Sequence, residues 1–139
     1  MFPSDADLRE LLASSRTIAV VGHSDRPHRS SYEVAGYLRR AGYRVYAVNP
    51  TITAVDGDPA YPSLASLPEP IDIVNVFRRS AFLPQIVEDA ITIHARAVWS
   101  QLGVTHPPAE ARARQAGLLA VSDLCIAVEH RRLGIPPRA

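Results

Sequence analysis

The 139-residue chain contains no lysine, so all 15 of its basic residues are arginine. This excludes several chemistries that need a lysine amine: a Schiff-base enzyme, a pyridoxal phosphate enzyme and a Walker-type phosphate loop. The formal net charge is only +1, which provides no global field that would attract nucleic acid or an anionic membrane. Any site for an anion must therefore be local.

The chain has one cysteine and no long apolar run. The single Cys125 cannot form an internal disulfide, and no apolar run approaches the ~20 residues of a membrane span. The opening MFPSDADLRE is acidic where a secretory signal would be basic and then apolar. With 47% hydrophobic residues, the chain is long enough for one core and too short for two. We expect one cytoplasmic, soluble domain over residues 1–139.

Five short apolar runs predict buried strands of a parallel sheet. They are TIAVVG at 17–22, YRVYAVNP at 43–50, IDIVNVF at 71–77, ARAVWS at 95–100 and GLLAVS at 117–122. Proline and glycine interrupt residues 51–70, which we interpret as a loop-rich crossover with one short helix near 63–66. Helical patterns separate the other runs, so right-handed crossovers should join five parallel strands. The predicted order is 3-2-1-4-5, with the chain reversing direction after the third strand.

Local signals mark where the helices begin. Ser4 is a plausible N-cap for a first helix, and Ser30 with Glu33 matches a capping box that starts the second helix near Ser31. A third helix follows residue 77, with two apolar rows at a spacing of four. Pro107 opens a fourth helix, and a fifth covers residues 125–132.

The loop GHSDRPHRSS after the first strand is the main candidate for a phosphate site. Gly22 permits close backbone approach, Ser24 offers a hydroxyl, and the amides at the start of the next helix favour an anion. Arg26 and Arg29 add local charge. The alternative is an ordinary connection with solvated arginines. NAD is disfavoured, because the loop is not G-x-G-x-x-G and Asn49 stands where an acidic residue usually binds the ribose.

Ligands of such sheets bind outside the carboxyl ends of the strands, here predicted between the first and fourth strands. Arg78 and Arg79, directly after Phe77, could pair with a second phosphate through bidentate bonds, or they could be a solvated pair that caps the following helix. Gln101 follows the fourth strand with Trp99 nearby, and it could offer an amide to the pocket.

No convincing catalytic or metal-ligating group emerges from the pattern. Cys125 and His130 are five residues apart on one predicted helix, a spacing that does not bring them face to face. The other histidines have no ligand-like spacing, so we predict neither catalytic residues nor a metal site.

Four segments together resemble the small stand-alone CoA-binding proteins. They are VVGHSDRPHRSSYEVAGYLRRAGYRVYAVNP, YPSLASLPEPIDIVNVFRR, AVWSQLGV and SDLCIAVEHRRL, in that order along the chain. They are similar, more distantly, to the CoA-binding domain that opens the alpha subunit of succinyl-CoA synthetase. The resemblance covers the chain from about Leu8 to Gly134, and it implies a Rossmann-like three-layer α/β fold.

The resemblance also implies a ligand and its contacts. CoA would lie over the first loop, with its phosphates near Gly22, His23, Ser24 and Arg26, and its adenosine part beside Asn49 and Pro50. The segment Phe77, Arg78, Arg79 would line the path of the pyrophosphate or the pantetheine. The family often has lysine at the positions of Arg26 and Thr51; Arg26 keeps the charge and Thr51 does not.

These observations leave three functional hypotheses. The first is a module that binds CoA or an acyl-CoA without catalysis, since the catalytic histidine of the synthetases lies in a later domain. The second is an enzyme on the same pocket, an acyl-CoA hydrolase or an NAD(P)-linked oxidoreductase that uses His23 or Cys125. The third is a surface for a protein partner, with nucleotide binding vestigial.

Overall fold

The apolar runs of the sequence form the centre of a sheet, and helices cover both of its faces. The computed structural model describes residues 2–137. The helices are α1 (Asp5–Ser14), α2 (Ser30–Arg40), α3 (Leu83–Thr92), α4 (Pro107–Gln115) and α5 (Ile126–Arg132). The strands are β1 (Thr17–Val21), β2 (Arg44–Val48), β3 (Ala54–Val55), β4 (Asp58–Tyr61), β5 (Ile73–Val76), β6 (Ala97–Ser100) and β7 (Leu119–Val121).

The sheet has seven strands in the order β3-β4-β2-β1-β5-β6-β7, so the predicted number and order were wrong. All five predicted strands form, and they pair in parallel. The two additional strands come from residues 51–70, where the sequence predicts a loop-rich crossover with one short helix. There, β3 and β4 make an antiparallel hairpin, and the whole sheet is therefore mixed.

The hairpin also explains the wrong order. Asp56 and Gly57 both have positive φ, 49° and 87°, as a two-residue hairpin turn requires. The hairpin places β4 beside β2, where Ala47 is in register with Ala60. Because that side of β2 is filled, the run at 71–77 crosses to the far side of β1 as β5. The change of direction along the sheet thus lies between β1 and β5, and not between the first and fourth predicted strands.

Two apolar layers hold the helices against the sheet. Ile18, Val20 and Trp99 belong to the layer that α1, α2 and α5 cover, whereas Ala19 and Val98 belong to the layer under α3 and α4. A strand that is buried on both faces needs apolar side chains in both directions, which is why these segments read as continuous apolar runs.

Ser4 begins α1 as predicted. Its hydroxyl accepts a hydrogen bond from the Asp7 amide at 3.1 Å, and the Asp7 carboxylate accepts one from the Ser4 amide at 3.1 Å. Within residues 2–137, no helix has the length and apolar character needed to cross a membrane.

Candidate functional site

A polar cavity of about 530 Å³ lies at the carboxyl ends of β1, β2 and β5. The side chains and backbone around it come from the loops that follow these three strands and from the start of α2. The residues that line it are Gly22, Ser24, Asp25, Arg26, Arg29, Ser30, Ser31, Asn49, Thr51, Ile52 and Phe77. Since β1 stands between β2 and β5, the cavity occupies the switch point, where ligands of open α/β sheets bind.

Hydrogen bonds to α2 shape the loop after β1. The Ser24 amide donates to Ser31 Oγ at 2.9 Å, and the Arg26 amide donates to Ser24 Oγ at 3.0 Å. The helix begins at Ser30, one residue before the predicted start, so the predicted capping box of Ser30 and Glu33 is not formed. Arg29 takes the N-cap position and gives α2 no side-chain cap among the described residues. The positive end of the helix dipole, with the exposed Arg26 and Arg29 beside it, suits an anion.

Asn49 connects the loop after β1 to the loop after β2. Its Nδ2 donates to the His23 carbonyl at 3.0 Å. Its Oδ1 accepts from the amide of Thr51 at 2.9 Å and from the hydroxyl of Thr51 at 2.7 Å. The amide of an asparagine supplies a donor and an acceptor together, so this one side chain holds both loops in place.

Gly22 occupies a position that no other residue fits without strain. Its φ is +88°, in the left-handed region, and its amide donates to the Val48 carbonyl at 2.8 Å. A Cβ at this position would lie 3.1 Å from the Phe77 carbonyl oxygen and 3.1 Å from Arg78 Cδ. The chain after β5 therefore passes directly over Gly22.

A second, mostly apolar cavity of about 190 Å³ lies beside the first. Its lining residues are Val21, Val48, Pro50, Pro62, Ser63, Leu64, Arg78, Phe82, Gln85, Ile86 and Asp89. The Arg78 guanidinium stacks on the Phe82 ring, 4.1 Å from its centroid. Arg79 is exposed, and its guanidinium lies 5.8 Å from the same centroid. The linings of the two cavities adjoin along the chain at Val21–Gly22 and at Asn49–Pro50.

Seven of the ten predicted site residues line one of the two cavities, and three line neither. The polar cavity has Gly22, Ser24, Arg26, Asn49 and Phe77. The apolar cavity has Pro50 and Arg78. His23, Arg79 and Gln101 line neither. The backbone N–H of Gln101 donates to the Val76 carbonyl at 3.1 Å, and the buried side-chain Oε1 has no hydrogen-bond partner within residues 2–137.

His23 is completely buried rather than exposed in the cavity. Its Nδ1 lies 2.7 Å from the Ser24 carbonyl oxygen, and its Nε2 lies 3.2 Å from Arg39 Nη1. Burial lowers the pKa of His23 below its ordinary value of 6.5, the hydrogen bond to Ser24 opposes this, and the charge of Arg39 lowers it further. With both ring nitrogens engaged, His23 is not free to act as a general base.

Sequence reasoning did not select Asp25, Thr51 and Ile52 as site residues. Their positions in the sequence could have identified them, because each lies within two residues of a predicted site residue. In the part of the chain from residue 2 to 137, no group of three or more histidine, cysteine, aspartate or glutamate side chains could hold a metal ion.

Fold and site together define an α/β protein of the Rossmann-like type, with a polar cavity at the switch point of its sheet. Residues 16–131 match the CoA binding domain family, and the chain belongs to this family. The resemblance that the sequence motifs indicated is thereby confirmed.

Two proteins of related sequence and one solved structure are similar to this chain. The chain is 44% identical over 128 residues to the uncharacterized protein YneT of Bacillus subtilis, covering 92% of this chain and 95% of YneT. It is 31% identical over 80 residues to acetate–CoA ligase (ADP-forming) I of Archaeoglobus fulgidus, covering 58% of this chain and 12% of that enzyme. A solved structure of a hypothetical protein from Pyrococcus horikoshii superposes with a TM-score of 0.91 at 38% identity, covering 94% of this chain and 92% of that one.

Proposed function

We propose that this protein binds CoA or an acyl-CoA at the carboxyl edge of its sheet and catalyses no reaction itself. The observation that carries the proposal is the polar cavity of about 530 Å³, formed by the loop after β1 and the start of α2. Membership of the CoA binding domain family points to the same ligand. The chain also matches part of an enzyme that is named for its use of CoA.

The diphosphate of CoA is the group that suits the polar cavity. Amides at the start of α2 and the hydroxyls of Ser24 and Ser30 can donate to phosphate oxygens, while Arg26 and Arg29 supply charge. Asp25 also lines the cavity, and its carboxylate favours a ligand that carries hydroxyl or amine donors besides its phosphates. A nucleotide meets both conditions.

The apolar cavity suits a planar or aliphatic part of the same ligand. Its walls come from Val21, Leu64 and Ile86, and the stacked pair of Arg78 and Phe82 offers a flat surface. Phe82 is 39% exposed, so a ring or chain placed against it would remove apolar surface from water. A ligand with a charged centre and a less polar arm would occupy both cavities together.

A melting-temperature screen tests the proposal. The compounds are CoA, acetyl-CoA, 3′-dephospho-CoA, NAD, NADP and ATP. At 100 times its dissociation constant, CoA should add ~2.7 kcal/mol to the free energy of unfolding, which raises Tm by about 10 °C for a chain of this size. Because Thr51 carries no charge, we expect 3′-dephospho-CoA to give the same shift as CoA. A shift with NAD and none with CoA or acetyl-CoA would refute the proposal.

Arg26 provides a sharper test of the phosphate contact. Arg26→Gln should weaken CoA binding about tenfold or more, since a charge-assisted hydrogen bond contributes roughly 1.5–3 kcal/mol. Arg40→Gln is the matched control, because Arg40 is also exposed but stands at the opposite end of α2. Isothermal titration calorimetry with CoA measures both. Equal losses in the two variants would show a general charge effect and not a contact at this loop.

A further inference from the structure

The buried imidazole of His23 lies directly behind the loop that lines the polar cavity. His23 has no exposed surface, and its own carbonyl accepts the Asn49 Nδ2 hydrogen bond. The next residue, Ser24, contributes to the cavity and is held by Ser31 of α2. A change in the ring of His23 therefore acts on a segment that Asn49 and Ser31 hold by hydrogen bonds.

The hydrogen-bond partners of the ring specify one protonation state. The Ser24 carbonyl oxygen can only accept, so Nδ1 must carry a proton and donate to it. The guanidinium of Arg39 can only donate, so Nε2 must be unprotonated and accept from it. Both contacts exist together only when His23 is neutral with its proton on Nδ1. A second proton on Nε2 would oppose the Arg39 cation at a distance of 3.2 Å.

Charged and titratable groups face the ring from each neighbouring element. On α2 these are Arg39 and Tyr32, and the Tyr32 ring stands edge-on at 6.4 Å between centroids. On the loop the charged group is Asp25, and on the β3–β4 hairpin it is Asp56, which accepts a hydrogen bond from Tyr32 Oη at 2.5 Å. The two carboxylates favour a charged imidazole. The burial of the ring and the charge of Arg39 oppose it, and burial is the largest of these effects.

We propose that neutral His23 and Arg39 are positioning residues for the ligand loop, so that CoA binding weakens when His23 takes up a second proton. The inference rests on the proposed function, because it concerns how the same loop is held. His23 acts through the backbone of Ser24 and does not touch the ligand. Repulsion between a protonated ring and Arg39 would displace the ring, and with it the Ser24 carbonyl to which Nδ1 stays hydrogen-bonded and the loop that presents the Ser24 hydroxyl.

The direction of the effect follows from the pKa. Burial holds the pKa of His23 below its ordinary value of 6.5, so the neutral ring predominates at and above pH 6.5. Affinity should fall as the pH drops through the lowered pKa, by up to about tenfold for each pH unit, because one proton is coupled to binding. A simple attraction between a charged His23 and the phosphates would produce the opposite result, tighter binding in acid.

Calorimetric titration with 3′-dephospho-CoA between pH 5 and pH 7.5 tests the proposal. This ligand lacks the phosphomonoester, whose second pKa near 6 would otherwise change the charge of the ligand in the same range. Circular dichroism at each pH confirms that the protein stays folded. We expect the dissociation constant of the unmodified protein to rise on acidification.

Two variants separate the positioning role from a general effect of acid. His23→Asn places an amide nitrogen where Nδ1 donates to Ser24 but has no titrating group, so its affinity should not depend on pH. Arg39→Leu removes the contact with His23 at every pH, so its affinity should already be reduced at pH 7.5 and should no longer fall on acidification. This variant serves alone if His23→Asn does not fold.

The outcomes that overturn the inference differ from those that overturn the proposed function. Affinity that is constant or rises in acid, or a decline that persists in His23→Asn, contradicts the positioning role. Absence of binding at every pH contradicts CoA binding instead. In that case the ring is titrated in the free protein by NMR, with the His23 signal identified by its loss in His23→Asn. A pKa at or above 6.5, or a Ser24 amide signal that does not follow the same titration, rejects the inference.

Discussion

Gly22→Ala is expected to destabilise the protein by about 2–5 kcal/mol and to abolish measurable CoA binding. Gly22 has a φ of +88°, and a left-handed conformation costs a residue with a Cβ roughly 1–2 kcal/mol. The new methyl group would also lie 3.1 Å from the Phe77 carbonyl oxygen. That oxygen is backbone and cannot rotate away, so overpacking adds roughly 1–3 kcal/mol. Urea unfolding measures the stability, and calorimetry with CoA measures the binding.

Gly117→Ala is the matched control. Gly117 has nearly the same φ, +90°, but nothing lies within 4 Å of where its Cβ would be, and it follows α4 at the other end of the sheet. Gly117→Ala should lower the free energy of unfolding only by the cost of the left-handed backbone, about 1–2 kcal/mol, and this variant should bind CoA normally. If the two variants lose the same stability and both keep binding, the close approach at Gly22 has no role in the site.

Asn49→Asp is expected to lower the affinity for CoA by roughly 100-fold. The carboxylate cannot donate to the His23 carbonyl, and an unpartnered polar group costs about 1–3 kcal/mol. It also brings a negative charge to the wall of an open cavity, where like charges ~4 Å apart in water repel by about 1 kcal/mol. A total near 3 kcal/mol corresponds to roughly 100-fold in the dissociation constant.

Asn49→Leu separates the two causes, because it removes the hydrogen bonds without adding charge. We expect a loss of about tenfold in this variant, insensitive to salt. The additional loss in Asn49→Asp should shrink as ionic strength rises, since salt screens charge repulsion in an open cavity. An equal loss in both variants at low salt would mean that no anion binds near Asn49.

Much of the fold was predictable because its signals are local. Continuous apolar runs mark β1 and β5, since strands buried on both faces cannot alternate, and Ser4 marks the start of α1 through bonds within one turn. The position of β5 was not predictable in the same way. It depends on whether the hairpin of β3 and β4 fills the side of β2, and the prolines around Asp56–Gly57 hid that hairpin.

In the candidate site, too, the residues that follow from local signals were predictable and the others were not. Gly22, Ser24 and Asn49 could be brought together from sequence, because parallel strands end at one edge of the sheet. The direction of a side chain beyond the strand end follows no period, which is why Gln101 lies outside both cavities. The buried ring of His23 contacts Arg39, a residue 16 positions later, and no local pattern links the two.

The hairpin also determines how the sheet ends. Its outer strand β3 has only two residues, Ala54 and Val55, and is paired antiparallel to β4. A short edge strand offers few free amides and carbonyls for a neighbouring molecule to extend. Without the hairpin, the outer edge would be the five-residue β2. On this side, the hairpin therefore leaves a shorter edge for strand addition by another molecule than β2 would.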